Sequence, residues 1–287
     1  MTSIAKVLDA GPSYSFEFFP PKTEEAQLAL ELTLQELELL QPSFVSVTYG
    51  AGGATRERTH DLVVSINRTT SMTAMAHLTC AAHTRAELID IVGRYRDAGV
   101  ENILALGGDP PAGLDLPEGD LHYASELVEL VQSAGAFTVG VAAHPELHPK
   151  SPDRASDRDH LAAKLRLADF AITQFFFRAN DYLRMVDELR ERGVHKPVIP
   201  GIMPITNLSS VQRMAQLSGA AVPQEVVARV EAVADDAEAV RAVGVEMASE
   251  LCRELLDGGA PGLHFYTLNR STATREIYAN LGLASAT

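Results

Sequence analysis

Eight short apolar runs, each followed by a segment of helical spacing, constrain this chain more than any other feature. They are SYSFEFF (13–19), FVSVTY (44–49), AMAHLTC (74–80), NILALGG (102–108), TVGVAA (138–143), FAITQFFF (170–177), VIPGIMP (198–204) and LHFYTL (263–268). Nearly continuous apolar runs of this length are how strands covered on both faces of a parallel sheet read. The segments between them read as helices. In AELIDIVGRYRDAGV (86–100), Leu88, Ile91, Val92 and Tyr95 share one stripe before Gly99; in DYLRMVDELRERG (181–193), Leu183, Val186 and Leu189 recur before Gly193. Successive runs start about 30 residues apart, as strand–helix units require. The gap before the eighth run is longer and holds extra helical stretches, VPQEVVARVEAV and VADDAEAVRAVGVEMASELCRELL.

Eight such units in 287 residues predict an α/β fold, a (β/α)8 barrel with an extra helical insertion before the eighth strand. The rival, an open doubly wound sheet, lacks the Gly-rich first turn that would support it. No Pro/Gly/Ser-rich linker divides the chain, so one domain over residues 1–287 is expected. A net charge of −14 disfavours nucleic acid or an anionic membrane as a main partner. No apolar run is long enough to span a bilayer, and MTSIAKVLDAGPSYS lacks the apolar core of a signal peptide, so a cytoplasmic protein is expected. Cys80 and Cys252 read as two reduced thiols. Neither GxGxxG nor GxxxxGK[ST] is present, and no Cys/His spacing suggests zinc.

In a barrel of this kind chemistry collects at the C-terminal ends of the strands, and the polar residues inside the apolar runs fall there. The first run carries Glu17; the second ends in Thr48 and Tyr49; the third carries His77 and Thr79. The fourth ends in Gly107, Gly108 and Asp109, the fifth leads to His144, Glu146, His148 and Lys150, the sixth holds Gln174, and the eighth carries His264 and Tyr266 and runs through Asn269 to Arg270. Each also has a bland reading. His77 and His264 are consistent with hydrogen-bonded core residues, Tyr49 and Tyr266 with amphipathic core, and Asp109 before Pro110 with a turn. His144 and His148 are spaced for a metal but have no evident third ligand, and equally suit a solvated loop. Glu17, flanked by Phe16 and Phe18, resists a bland reading. A buried carboxylate is costly unless it is paired or protonated, and both conditions suit a general acid.

Taken together, SFEFFPPK, PSFVSVTYGAGG, HLTC, the LxGDPP of the fourth run, VAAHPELHP, AITQFFF, PGIMPITN and HFYTLNR resemble the methylenetetrahydrofolate reductase family, in that family's order and over nearly the whole chain. The resemblance implies a (β/α)8 barrel that reduces 5,10-methylenetetrahydrofolate to 5-methyltetrahydrofolate with a reduced nicotinamide; in the usual members FAD relays the hydride. It implies roles residue by residue. Glu17 matches the acid that helps open the imidazolidine ring to an iminium, and Asp109 matches an aspartate near the pterin and flavin rings. Gln174 matches a folate and nicotinamide contact, and Tyr266, Leu268 and Arg270 match the segment beside the folate. Thr48, His77, Gly108, Ala142, His144, His148, Asp157 and Lys164 match cofactor positions.

Several of those cofactor positions depart from the family pattern. LRGD reads LGGD, so Gly107 replaces an arginine; the usual aromatic before PE is His144; His160 and Ala163 replace polar or basic contacts; and one residue is missing before ADFAITQ, while Lys164 is retained. Each lost cationic donor removes a charge-assisted hydrogen bond worth about 1.5–3 kcal/mol. The expectation is a reductase that binds FAD weakly or not at all and takes hydride directly from NADH, NADPH being the other donor that the sequence leaves open. The alternatives are an ordinary FAD-dependent reductase, a folate-linked methyltransferase or lyase, and a non-enzymatic folate-binding relative. Larger members carry a C-terminal regulatory domain; since the chain ends soon after TATREIYANLGL, no such regulation is expected.

Overall fold

The computed structural model describes residues 2–49, 53–108 and 119–283, with backbone alone at 53–55. Nine strands are formed among these residues: β1 Ser13–Phe18, β2 Phe44–Val47, β3 Ala74–Thr79, β4 Asn102–Leu106, β5 Thr138–Ala143, β6 Phe170–Thr173, β7 Val198–Ile199, β8 Gly201–Ile202 and β9 Gly262–Tyr266. Every pairing is parallel, in the order β7-β6-β5-β4-β3-β2-β1-β9-β8. Only Pro200 separates β7, which pairs with β6, from β8, which pairs with β9. The two are one strand interrupted by a residue with no N–H to give the ladder, and the eight-stranded ring closes through it. The proline carbonyl still accepts from His264 N at 2.9 Å.

The helices are α1 Ile4–Ala10, α2 Glu24–Glu38, α3 Gly53–Thr69, α4 Arg85–Asp97, α5 Ala124–Ala134, α6 Arg154–Leu167, α7 Ala179–Glu191, α8 Leu208–Ser218, α9 Gln224–Glu231, α10 Ala237–Asp257 and α11 Thr272–Asn280. Their starts follow local chemistry. Thr84 and Glu87 form a capping box on α4, and the Asp153 side chain accepts from Ser156 N to start α6. The helices α9 and α10 form the expected insertion, and α8 precedes them without having been read from the sequence. Among the described residues no helix is long and apolar enough to cross a membrane.

Strand alternation sorts the core into two layers. Phe16, Phe18, Val45, Val47, Leu78 and Phe265 point to the helices and join the large cluster between sheet and helix ring. Phe44, Met75, Leu104, Phe170, Ile172 and Ile199 fill the barrel interior together with Ile4. Ile4 belongs to α1, a helix not expected from the sequence. It closes the N-terminal end of the barrel: Ile4 N donates to Asn102 Oδ1 at 2.9 Å, Asn102 Nδ2 to Thr2 O at 3.2 Å, and Ser3 Oγ meets Thr138 Oγ1 at 2.7 Å. Asn102 and Thr138 are the first residues of β4 and β5.

Apart from β5, which ends with its run at Ala143, the strands end one to four residues earlier than the apolar runs. The largest correction is at β6, which stops at Thr173, so that Gln174 lies beyond the strand rather than in it. Gln174 N still donates to Ala143 O at 2.8 Å, but on the other side β7 has already ended before Pro200. The Thr173 side chain and carbonyl then take Gly201 N and the Tyr266 hydroxyl in place of a continued ladder.

Candidate active site

Glu17 occupies the position in β1 that faces into the C-terminal mouth of the barrel. Its side chain is 16% exposed, and its Oε2 lies 3.5 Å from both His77 Nε2 on β3 and His264 Nε2 on β9. These contacts are too long for strong hydrogen bonds. Burial pushes the His77 imidazole down to about 4 despite the pull of Glu17, with His264 lowering it further. His77 is therefore neutral at neutral pH, and its Nε2 forms no hydrogen bond.

His264 is fully buried and held on three sides. Ser15 Oγ lies 2.8 Å from Nδ1 and also reaches Leu263 O at 3.4 Å; Ser46 Oγ is 3.5 Å from Nε2. Phe44 stacks against the ring at 6.1 Å and 17°, so this histidine is the first polar layer above the apolar floor. Ser15 and Ser46 carried no sequence signal beyond their alternation with apolar neighbours.

Tyr266 sits beside Glu17, its hydroxyl donating to Thr173 O at 2.7 Å. Burial, with Glu17 adding to it, raises this phenol well above its ordinary range, so it remains a donor. The arrangement depends on Gly201, where a Cβ would come within 2.3 Å of Thr173 O and 2.6 Å of the Tyr266 ring. The chain leaving β9 is stitched to the chain leaving β1. Thr267 Oγ1 donates to Glu17 O at 2.6 Å, Asn269 Nδ2 to Phe19 O at 2.8 Å, and Phe19 N to Asn269 Oδ1 at 3.0 Å. These bonds hold Leu268 and Asn269 in the left-handed region at φ 51° and 57°, a conformation that non-glycine residues adopt only when their surroundings impose it. Leu268 packs against the cluster that holds Phe175 and Met203, while Arg270 is exposed. The Gln174 side chain turns back, its Oε1 accepting from Phe175 N at 3.0 Å.

The expected cofactor positions gather on the neighbouring sector, at the ends of β2 to β5 and on α6. Thr48 lies just past β2, its carbonyl accepting from Thr59 Oγ1 at 2.9 Å, and Gly108 turns just past β4 at φ +77° with Thr79 so close that a Cβ would meet it at 2.8 Å. Asp109 lies outside the described residues. Lys164 Nζ donates to Ala142 O at 2.6 Å, and desolvation lowers the ammonium to about 8, offset in part by Asp157. His144 stacks edge-on to His148 at 4.6 Å; burial, reinforced by the nearby cationic groups, pushes it down to about 4. Asp157 is buried with both oxygens engaged, Oδ1 by His148 N (3.2 Å) and Ser151 Oγ (2.9 Å), Oδ2 by Arg158. Tyr49 is drawn away from the mouth, its hydroxyl bonded to His83 Nε2 at 2.8 Å. Among the described residues, no group of three or more His, Cys, Asp or Glu side chains is placed to hold a metal ion.

A closed parallel barrel with a half-shielded acid, two histidines and a tyrosine at its C-terminal mouth has the architecture of a (β/α)8 enzyme. Comparison gives the family. The methylenetetrahydrofolate reductase family model matches residues 3–282, and the chain belongs to that family of oxidoreductases. It is 38% identical over 270 residues to the 5,10-methylenetetrahydrofolate reductases of Salmonella typhimurium and Escherichia coli, covering 94% of this chain and 90% of each of those proteins. It is 36% identical to methylenetetrahydrofolate reductase (NADH) 1 of Arabidopsis thaliana, covering 98% of this chain and 50% of that one. Among solved structures, an uncharacterized Clostridium thermocellum protein that binds two copies of 5-methyl-5,6,7,8-tetrahydrofolic acid shares the fold, with a TM-score of 0.67 at 15% identity over 99% of this chain and 98% of the other.

Proposed function

We propose that this chain, as one barrel domain over residues 1–287, reduces 5,10-methylenetetrahydrofolate to 5-methyltetrahydrofolate, taking the hydride directly from NADH. The observation that carries the reading is Glu17 at the barrel mouth with His77 and His264 each 3.5 Å from Oε2. In the reaction, Glu17 delivers a proton to the folate nitrogen that leaves the bridging carbon. The five-membered ring opens, and the bridging carbon stays on the other nitrogen as an iminium. Hydride from C4 of NADH adds to that carbon, giving the methyl group and NAD⁺. Neutral His77 leaves the carboxyl without a competing ion pair. Gln174, Tyr266, Leu268 and Arg270 are assigned to the folate, and Thr48, His77, Gly108, Ala142, His144, His148, Asp157, Lys164 and Gln174 to the dinucleotide.

FAD, when bound in this family, accepts hydride from the nicotinamide and passes it on, but the residues here fit it poorly. Among the described residues, Gly107, His144, His160 and Ala163 stand where the family pattern has an arginine, an aromatic and two polar or basic contacts, and the retained Lys164 Nζ is bonded to Ala142 O. Gly107 is not a packing requirement, since a Cβ there would meet nothing within 4 Å. A Cβ at the arginine position of the usual members therefore meets no neighbour. The purified protein is expected to show no flavin band in its visible spectrum and to oxidise NADH on addition of methylenetetrahydrofolate without added FAD. Gly107→Arg is expected to increase FAD binding. A stoichiometric flavin band, or turnover strictly dependent on FAD, restores the flavin-dependent mechanism.

A further inference from the structure

Arg158 is the largest fully buried side chain among the described residues, with no exposed surface. It lies in the first turns of α6, and its guanidinium has five partners. Two are carboxylates, Asp157 and Glu188, the latter at 2.8 Å from Nε. The other three are consecutive backbone carbonyls of the loop after β5: His144 O at 3.1 Å, Pro145 O at 2.6 Å and Glu146 O at 3.3 Å. Arg154 doubles the clamp, reaching Glu188 Oε1 at 2.7 Å and Glu146 O at 3.0 Å.

Stability alone does not explain such a group. A buried ionic network usually contributes no more than well-packed apolar side chains of similar volume. What an apolar residue cannot supply is a rigid fork of donors for carbonyls that have no ladder or helix partner. Those carbonyls belong to the loop that carries His144 and His148. The partner carboxylate Asp157 holds the other end of the same loop through His148 N and Ser151 Oγ. Lys164, further along α6, is fixed on Ala142 O at the end of β5. The whole wall is set by α6, and Arg158 is its anchor.

We propose that Arg158 is a positioning residue for dinucleotide binding: by gripping the carbonyls of residues 144–146 it sets the shape of the β5–α6 wall against which NADH lies, without touching NADH itself. This rests on the reading above that the wall takes the dinucleotide, and Lys164→Ala tests that reading separately.

The experiment measures NADH affinity by fluorescence in the absence of folate, KM for NADH and for methylenetetrahydrofolate, and melting temperature, in Arg158→Met, Arg158→Lys, Glu188→Gln and Lys164→Ala. Arg158→Met is expected to weaken NADH binding about tenfold or more, Arg158→Lys to recover part of that loss, and Glu188→Gln to weaken binding about threefold, with the folate KM within about twofold throughout. A purely structural role would lower the melting temperature and leave the constants of the folded protein unchanged. Should Arg158→Met fail to fold, Arg158→Lys and Glu188→Gln decide: NADH affinity within about twofold of the parent in both overturns the proposal. If Lys164→Ala weakens NADH while the Arg158 and Glu188 variants do not, the positioning role alone fails. If Lys164→Ala also leaves NADH binding unchanged, the wall is not the dinucleotide site and both readings fall. FAD, titrated in parallel with flavin fluorescence as the probe, is expected to bind more weakly than NADH in every variant; tighter binding of FAD assigns the wall to the flavin instead.

Discussion

The two ends of this barrel are built from the same strands with the same alternation, yet they are chemically opposite. At the N-terminal floor the inward positions are Phe44, Met75, Leu104 and Phe170, sealed by Ile4 from α1. Two residues further along, Ser46 follows Phe44 on β2 and His77 follows Met75 on β3, while Glu17 and His264 face inward from β1 and β9, which give the floor no apolar residue. His264 stacked on Phe44 marks the boundary. The floor excludes water and rigidifies the ring, which lets the mouth hold polar groups at fixed separations. A side chain's place along the strand, more than its strand, determines whether it stabilises or reacts.

That contrast can be broken at either end. The largest effect is expected at the mouth. Glu17→Gln keeps the size and shape of the side chain but removes its acid, and should lower kcat by about 10²–10⁴-fold while melting temperature and folate affinity change little. Near-normal turnover would make Glu17 a structural residue. At the floor, Phe170→Ala should destabilise the fold by about 3–5 kcal/mol in denaturant titrations, with both KM values of the folded protein close to the parent's. A loss of kcat comparable to that of Glu17→Gln would show that floor and mouth are not separable.

A smaller effect follows from pH. His77 and His144 are both pushed from 6.5 down to about 4. A histidine depressed in the folded state binds fewer protons there than when unfolded, so its stabilisation is complete above pH 6.5 and is lost as pH falls toward about 4. Melting temperature should therefore fall through this window, and His77→Gln should flatten part of the decline; an unchanged slope would mean that His77 charges without penalty. The smallest effect is expected at the rim. Asn269→Ala removes two hydrogen bonds to the Phe19 backbone and relaxes the left-handed turn, at about 1–2 kcal/mol. It should raise the folate KM more than it lowers kcat; the reverse outcome would place the rim in the chemistry.

Much of the barrel was readable because its signals are local. Each apolar run became a strand, the helical stretches before β9 became α9 and α10, and the stops at Gly99 and Gly193 fall where positive φ is needed. Glu17, His77, His264 and Tyr266 were suspect as polar residues in apolar runs, and the structure brings them together. The misses are all tertiary. IAKVLDA is a seven-residue helix, too short to persist alone, and it exists because Ile4 plugs the floor. Gln174 was assigned to β6, but the broken seventh strand ends the ladder early. Arg158 has no sequence signature, since an arginine after an aspartate near a helix start usually faces water.

By itself, the sequence determined the order of the strands and of most helices, the number of barrel strands and the strand that carries the acid, because periodicity and turn residues act over a few neighbours. Only the tertiary structure decided which polar groups meet. Glu17, His77 and His264 converge from β1, β3 and β9 through the closure of the ring, and Arg158 is drawn inward by carbonyls that the loop after β5 leaves unpaired. Those partners lie up to 250 residues apart, as with Asn269 and Phe19, and no local pattern encodes a distance across a barrel.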